Sequence, residues 1–244
     1  MACSSRVSGA LLLSLSVLVA CSSDSAPSQQ PTDERWTIGI YMAADNNLDR
    51  AATNDINEIL RAGVPENSSA LILVDRARLG AYGDFGNVPD LEPHSTAKWL
   101  RVVGSEIIEE EDLGEINTAD PETVRLFIDR LMEEDVDRRV AIFWDHGSSF
   151  TFGSDDSARL SGAMGVDEIA AQSRDNPNDG SSAYRTVDLI GFDACLMSSV
   201  EALGEFTEVA PWYVASAELE PGDGWDYEGL FRFLGQNSSV RTHR

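Results

Sequence analysis

Five short apolar runs, spaced so that a helix fits in most of the gaps, constrain this fold more than any other feature of the sequence. They are residues 36–42 (WTIGIYM), 70–74 (ALILV), 140–144 (VAIFW), 187–192 (VDLIGF) and 212–217 (WYVASA). Runs of this length bounded by turn residues predict buried strands. Between the first two, Leu48, Ala52, Ile56, Ile59 and Leu60 share one helical face, with Asn46 or Asn47 as cap and Gly63 as stop. Asp120-Pro121 is a helix start, a capping carboxylate followed by proline in the first turn, and Val124, Phe127, Ile128 and Leu131 continue it at helical spacing. Further helices are expected near 166–171, 199–206 and 227–234, and a hairpin at the sheet edge over 96–108. Such alternation predicts an α/β fold, a mostly parallel sheet with helices on both faces.

The first 35 residues stand apart. Residues 1–20 hold Arg6 and then an apolar run too short to span a bilayer. They read as an export signal. The run ends Leu18-Val19-Ala20-Cys21, which resembles a bacterial lipobox and implies cleavage before Cys21 and its lipidation. Ser22 after that cysteine points to the outer membrane. Residues 21–35, rich in Ser, Pro and Gln, are expected to be a flexible tether, leaving 36–244 as the folded domain. Lipid on Cys21 and loss of Cys3 with the signal would leave Cys195 as the remaining thiol, in a compartment that oxidises thiols.

Charge narrows the partners. Lys and Arg number 18 against 42 Asp and Glu, for a net charge of −24. A chain so acidic lacks the basic face that a phosphate backbone requires, so nucleic acid is excluded as partner. Three histidines and three cysteines do not make a spaced Cys/His zinc site. No cofactor is required by the pattern and no metal ligand is assigned. Ca²⁺ stays open, although Asp155-Asp156 belongs to no twelve-residue calcium loop.

Chemistry concentrates at two strand ends. Ligands of open parallel sheets bind beyond the carboxyl ends of the strands. The third predicted strand runs into Asp145-His146-Gly147 and the fourth into Asp193-Ala194-Cys195. Neighbouring strands would bring imidazole and thiol to one rim, where the imidazole assists the thiolate and protonates a leaving amine. Gly147 adds a backbone N–H that could serve an oxyanion. The bland alternative is a capped strand end and a small buried thiol.

Four blocks resemble the clostripain family of cysteine peptidases, relatives of caspases, gingipains and legumain. They are 36–48 (WTIGIYMAADNNL), 144–148 (WDHGS), 188–201 (DLIGFDACLMSSVE) and 213–227 (YVASAELEPGDGWDY). The resemblance implies a caspase-like sheet, His146 and Cys195 as catalytic pair, and cleavage after Arg or Lys in protein or peptide substrates. The histidine-to-cysteine spacing is about 50 residues, as in caspases. The family's acidic pocket for a basic side chain maps to Asp193 and Asp223, and carboxylates suit a guanidinium. Without the resemblance, Asp193 reads as a helix cap and Asp223 as a turn residue.

Departures remain. Ala217 stands where many relatives are acidic, Ser148-Ser149-Phe150 replaces a usual Ser-Gly-Trp, and relatives run well past Arg244. These leave a second reading, a non-catalytic surface lipoprotein that uses the scaffold for binding. Residues 147–186 look like a long polar loop, and such loops are sites of nicking. Relatives are processed between histidine and cysteine, so self-cleavage is expected after Arg174 or Arg159, Arg185 being too close to the next strand. The whole chain is expected in the bacterial cell envelope, held to a membrane by its lipid.

Overall fold

The computed structural model describes residues 34–83, 86–157, 162–174 and 187–236. The signal, Cys21, nearly all of the tether, Arg159 and Arg185 lie outside these residues.

The strands are β1 (Trp36–Ala44), β2 (Ser68–Arg76), β3 (Ala97–Val103), β4 (Glu106–Gly114), β5 (Arg138–Trp144), β6 (Thr151–Phe152), β7 (Met164–Gly165), β8 (Leu189–Asp193) and β9 (Trp212–Ala215). The helices are α1 (Asp49–Ala62), α2 (Pro121–Met132), α3 (Val166–Ser173), α4 (Val200–Phe206) and α5 (Tyr227–Gln236). Seven strands form one sheet in the order β4-β3-β2-β1-β5-β8-β9. The five predicted strands are its parallel members, and β3 and β4 form the antiparallel edge hairpin.

Period-two alternation divides the core. In β1, Ile38, Ile40, Met42 and Ala44 face one side, where Ile56 and Ile59 of α1 and Tyr227 and Phe231 of α5 pack. Tyr41 and Ala43 face the other, against Phe127 and Leu131 of α2, Ile169 of α3 and Phe206 of α4. Each layer is thus a strand face covered by a helix stripe, as a doubly covered sheet requires. Gly39 lets α2 come close: a Cβ there would lie 3.0 Å from Leu131 Cδ2 and Phe127 Cζ.

Local signals act largely as expected. Asp120 accepts a hydrogen bond from Glu122 N at 2.9 Å and Pro121 opens α2. Gly63 ends α1 at φ +74°, and its N–H still reaches Ile59 O at 2.9 Å. The cap of α1 differs. Leu48 occupies that position without a side-chain bond, while Asn46 accepts from Leu48 N at 2.8 Å, forming the turn that precedes the helix.

The expected loop over 147–186 is more structured than its composition implies. β6 and β7 pair as a small antiparallel ladder, and Phe152, Met164, Val166 and Ile169 are buried in the main core. Two-residue strands are too short to leave a period, so polarity dominated the sequence pattern. Arg174 does not sit in a free loop either. It ends α3, its carbonyl accepts from Arg125 Nη1 at 3.0 Å, and its Nη2 donates to Glu205 O at 2.8 Å.

Candidate active site

Register brings the predicted pair together. β5 and β8 run parallel with Phe143 opposite Phe192 and Trp144 opposite Asp193. The ladder continues one step further, Asp145 N donating to Asp193 O at 3.3 Å. His146 and Cys195 each lie two residues past the last paired positions, so both leave the sheet at the same rim and line one cleft. That cleft has a volume of about 160 Å³, and its walls also include Leu48, Asp193, Glu220 and Gly224.

Two loops are locked at this rim. Gly147 lies so close to the cysteine loop that a Cβ would come within 2.6 Å of Cys195 O and 2.9 Å of the Met197 side chain. Glycine is therefore required here by close approach, whatever its N–H does in chemistry. Leu196, directly after the cysteine, has φ +63°, and Ser149 on the facing loop has φ +66°. A left-handed residue with a Cβ costs roughly 1–2 kcal/mol, and such strain is kept where surrounding bonds over-determine it. Those bonds are present. Leu196 N reaches Glu218 O at 3.0 Å and Ser198 N reaches Ser216 O at 2.8 Å, while Tyr213 Oη donates to Met197 O at 2.6 Å. Ser199 Oγ donates to Ser149 O at 3.3 Å, tying one loop to the other.

The two reactive side chains have fixed surroundings. Glu220 N donates to Cys195 Sγ at 3.3 Å, which sets the direction of the sulfur. His146 Nε2 lies 3.0 Å from Asn47 Oδ1. Burial pushes the imidazole below its ordinary pKa, favouring the neutral form that accepts a proton. Behind it, Asp145 accepts from Asn46 Nδ2 at 2.8 Å and Ser154 N at 2.6 Å.

Asp193 is 4% exposed and forms one wall of the cleft. It does not cap the helix after the cysteine; its Oδ2 accepts from Trp225 N at 3.1 Å. Burial raises its pKa to about 6, against the lowering influence of the Trp225 N–H. Gly224 makes room for it, since a Cβ there would meet Asp193 Oδ2 at 2.9 Å. Behind the cleft, burial lifts Asp55 on α1 to about 8 although Trp144 Nε1 donates to it at 2.7 Å.

Asp223, expected beside Asp193, stands exposed on the turn closed by Gly224 N and Pro221 O at 3.0 Å. The cleft wall instead takes from this loop Glu220, whose Oε1 accepts from Trp225 Nε1 at 3.2 Å, and from the histidine side Asp145. Glu218, Glu220 and Asp223 are all acids of one quoted block, and nothing in their spacing ranks them. Asn47 was likewise visible only as a possible helix cap. Its contact with His146 arises because β1 and β5 are neighbours in the sheet.

Comparisons with known proteins agree with this architecture. The model of the clostripain family matches residues 40–242. Clostripain of Hathewaya histolytica is 26% identical over 228 residues, which cover 84% of this chain and 43% of that protein. A secreted C11 cysteine protease of Bacteroides thetaiotaomicron, solved with an irreversible peptide inhibitor, superposes with a TM-score of 0.63 at 21% identity, covering 82% of this chain and 54% of the other. An inactive zymogen C11 protease of Parabacteroides distasonis gives 0.62 at 22% identity, over 86% and 56%. The chain therefore spans about half the length of the relatives it matches.

Proposed function

The chain belongs to the clostripain family, and on that premise we propose that it is a cysteine endopeptidase cutting after Arg or Lys. The observation that carries this reading is the β5–β8 register, which delivers His146 and Cys195 to one cleft beside a buried carboxylate. Cys195 Sγ attacks the scissile carbonyl carbon. His146 takes the thiol proton and passes it to the leaving amine as the C–N bond breaks. A water molecule then hydrolyses the thioester and regenerates the thiol. Gly147 N–H is the candidate oxyanion donor. Asp193 receives the cationic side chain, with Glu220 in the wall and Asp223 at the mouth. Clostripain, the named relative, supports the basic preference.

The same proposal places the enzyme on a bacterial membrane, the outer one by the residue after the lipobox, through lipid on Cys21, and has it cut itself between histidine and cysteine. The anchoring of Arg174 moves the expected cut toward Arg159. A peptide probe with an Arg side chain and a thiol-reactive group tests the chemistry. Labelling of the wild type and its loss in Cys195→Ala is expected; an unlabelled wild type overturns the peptidase reading in favour of a binding domain. On the same gel, fragments confined to the wild type mark self-processing, and an intact active chain refutes it. Detergent partition that persists in Cys21→Ser would refute the anchor.

A further inference from the structure

The imidazole of His146 has a fixed neighbour that takes no part in the proton transfers of the Cys195–His146 pair. Its Nε2 lies 3.0 Å from Oδ1 of Asn47, a residue 99 positions away in sequence. Asn47 follows β1 and His146 follows β5, and these strands are parallel neighbours with Met42 opposite Trp144. The contact is thus a product of the sheet order.

The residue before it holds Asn47 in place. Asn46 is 2% exposed. Its Oδ1 accepts from Leu48 N at 2.8 Å and its carbonyl accepts from Asp49 N at 3.2 Å, so Asn47 sits in a turn that is closed twice. Asn46 Nδ2 donates to Ala43 O at 2.9 Å, Asp145 Oδ1 at 2.8 Å and Ser154 Oγ at 3.1 Å. These bonds fasten the turn to the end of β1, to the residue just before His146, and to the loop after β6. Asn47 and His146 are therefore carried on one bonded frame, although both side chains reach the exposed rim.

We propose that Asn47 is a positioning residue for the peptidase reaction: its Oδ1 accepts from Nε2–H of His146 and fixes that tautomer, leaving Nδ1 to exchange protons with Cys195 and the leaving amine. The assignment rests on the peptidase reading of the cleft. An amide oxygen only accepts, so the nitrogen it meets carries a hydrogen, and in a neutral ring the other nitrogen keeps the lone pair. The proton balance follows. The thiol proton goes to Nδ1 as sulfur attacks, and the imidazolium then holds N–H at both nitrogens. Nδ1 gives its proton to the amine as the C–N bond breaks, and the ring returns to its starting form. Asn47 neither gains nor loses a proton.

A neutral amide orients the ring without adding an anion beside it, so the imidazole keeps the lowered proton affinity that burial gives it. The charged groups around it are directed elsewhere. Asp145 accepts from Asn46 and Ser154 N, Asp193 from Trp225 N, and Glu220 from Trp225 Nε1. On the turn itself, Asp45 accepts from Ser157 N and Asp49 from Arg76. Water competes for an exposed hydrogen bond, and a substrate lying over the rim removes that competition, so the contact tightens when it is needed.

Nitrogen NMR of the full purified chain reads the tautomer without requiring turnover. His146, identified among the three histidines by comparison with His146→Ala, should show the Nε2–H form in the wild type. Asn47→Ala should lose that preference, and Asn47→Asp, which keeps the acceptor oxygen, should restore it. Kinetics on an Arg peptide give the second reading. Asn47→Ala should lower kcat about ten- to a hundredfold with KM within about twofold, the loss expected of a misplaced catalytic group. Asn47→Asp should recover most of kcat and move the acid limb of the kcat/KM profile up by about one pH unit, because its anion favours the imidazolium and delays the neutral base. An Nδ1–H wild type, an unchanged tautomer in the folded Asn47→Ala chain, or an Asn47→Asp profile that overlays the wild type overturns the assignment. Should Asn47→Ala fail to fold, the wild-type tautomer and the Asn47→Asp profile still decide it. A wild type that neither turns over nor labels at Cys195 overturns the peptidase reading, and the tautomer reports on the Asn47 contact separately.

Discussion

The two ends of the parallel sheet handle the same residue type in opposite ways. At the amino ends of the strands, carboxylates meet arginines. Arg101 bonds both oxygens of Glu134 at 2.9 and 2.8 Å and also pairs with Glu110, while Arg138 reaches Asp188 at 2.7 Å. Burial alone would raise Glu110, yet Arg101 and Arg130 bring it below the ordinary range. At the carboxyl ends, Asp75, Asp145 and Asp193 are all raised, burial being the largest cause in each. Arg76 is committed there to Asp49. One end pairs its acids with arginines; the other keeps acids that burial makes costly to ionise. That contrast fits the proposed function, in which an acid not already paired with an arginine, Asp193, receives a cationic side chain.

The comparison breaks most readily at the paired end. Arg101 is 16% exposed and Glu134 14% at the side chain, so removing the guanidinium leaves two half-buried acids without it. Breaking a fully buried pair costs about 3–5 kcal/mol; partial solvent access reduces this to about 2–3 kcal/mol for Arg101→Ala. Denaturant unfolding should show that loss while the Arg/Leu preference of the enzyme stays constant. A change in preference would show that the two ends are not separate.

At the cleft, the same kind of change should move function rather than fold. A charged hydrogen bond contributes about 1.5–3 kcal/mol, and about 1.4 kcal/mol is a factor of ten. Asp193→Asn should therefore lower kcat/KM for Arg substrates about ten- to a hundredfold. Equal loss on neutral substrates would assign Asp193 to positioning instead of recognition.

Stability should respond in the opposite direction. The folded-state pKa of Asp193 is raised from 3.8 to about 6, so the folded chain binds a proton that the unfolded chain has released. Stability is thus lost as pH rises from about 4 to about 6 and does not recover above it. Two pKa units correspond to about 2.7 kcal/mol at most, and relaxation leaves about 1–2 kcal/mol. Asp193→Asn should be more stable than wild type by that amount at pH 8 and equal to it near pH 3.5, a gain in stability against a loss of function. A pH-independent difference would mean that folding leaves the pKa of the carboxyl unshifted.

Much of this layout was legible because it follows from local rules. Apolar runs marked the parallel strands, Asp120-Pro121 marked α2, and two strand ends marked His146 and Cys195. The acidic cluster beside the end of β1 was not legible. Its three acids, Asp45, Glu115 and Asp155, are scattered along the chain, and only the folding of the β4 and β6 ends over the end of β1 brings them together. Asp155 drew attention for its acidic neighbour Asp156, but Asp156 N instead donates to Asp45 O at 2.8 Å. Glu220 was hidden for a different reason. Four acids of one loop, Glu218, Glu220, Asp223 and Asp226, compete on equal terms until the Sγ contact of the Glu220 N–H places that residue at the thiol.

The smallest effect sharpens the contrast further. Arg130 also belongs to the paired end, but its side chain is 37% exposed and it shares Glu110 with Arg101. Its second partner, Glu133, lies 3.4 Å away and is 69% exposed. Exposed pairs contribute about 0.2–1 kcal/mol and are screened by salt. With Arg101 still holding Glu110, Arg130→Gln should cost about 0.5 kcal/mol or less in low salt and nothing measurable in high salt. In the background of Arg101→Ala, the same change should cost more, because Glu110 then loses its remaining cation. A double-mutant cycle on urea midpoints reads this directly. Strict additivity would show that the amino-end arginines act one by one, and that burial of Arg101, not a shared network, distinguishes that end of the sheet from the cleft.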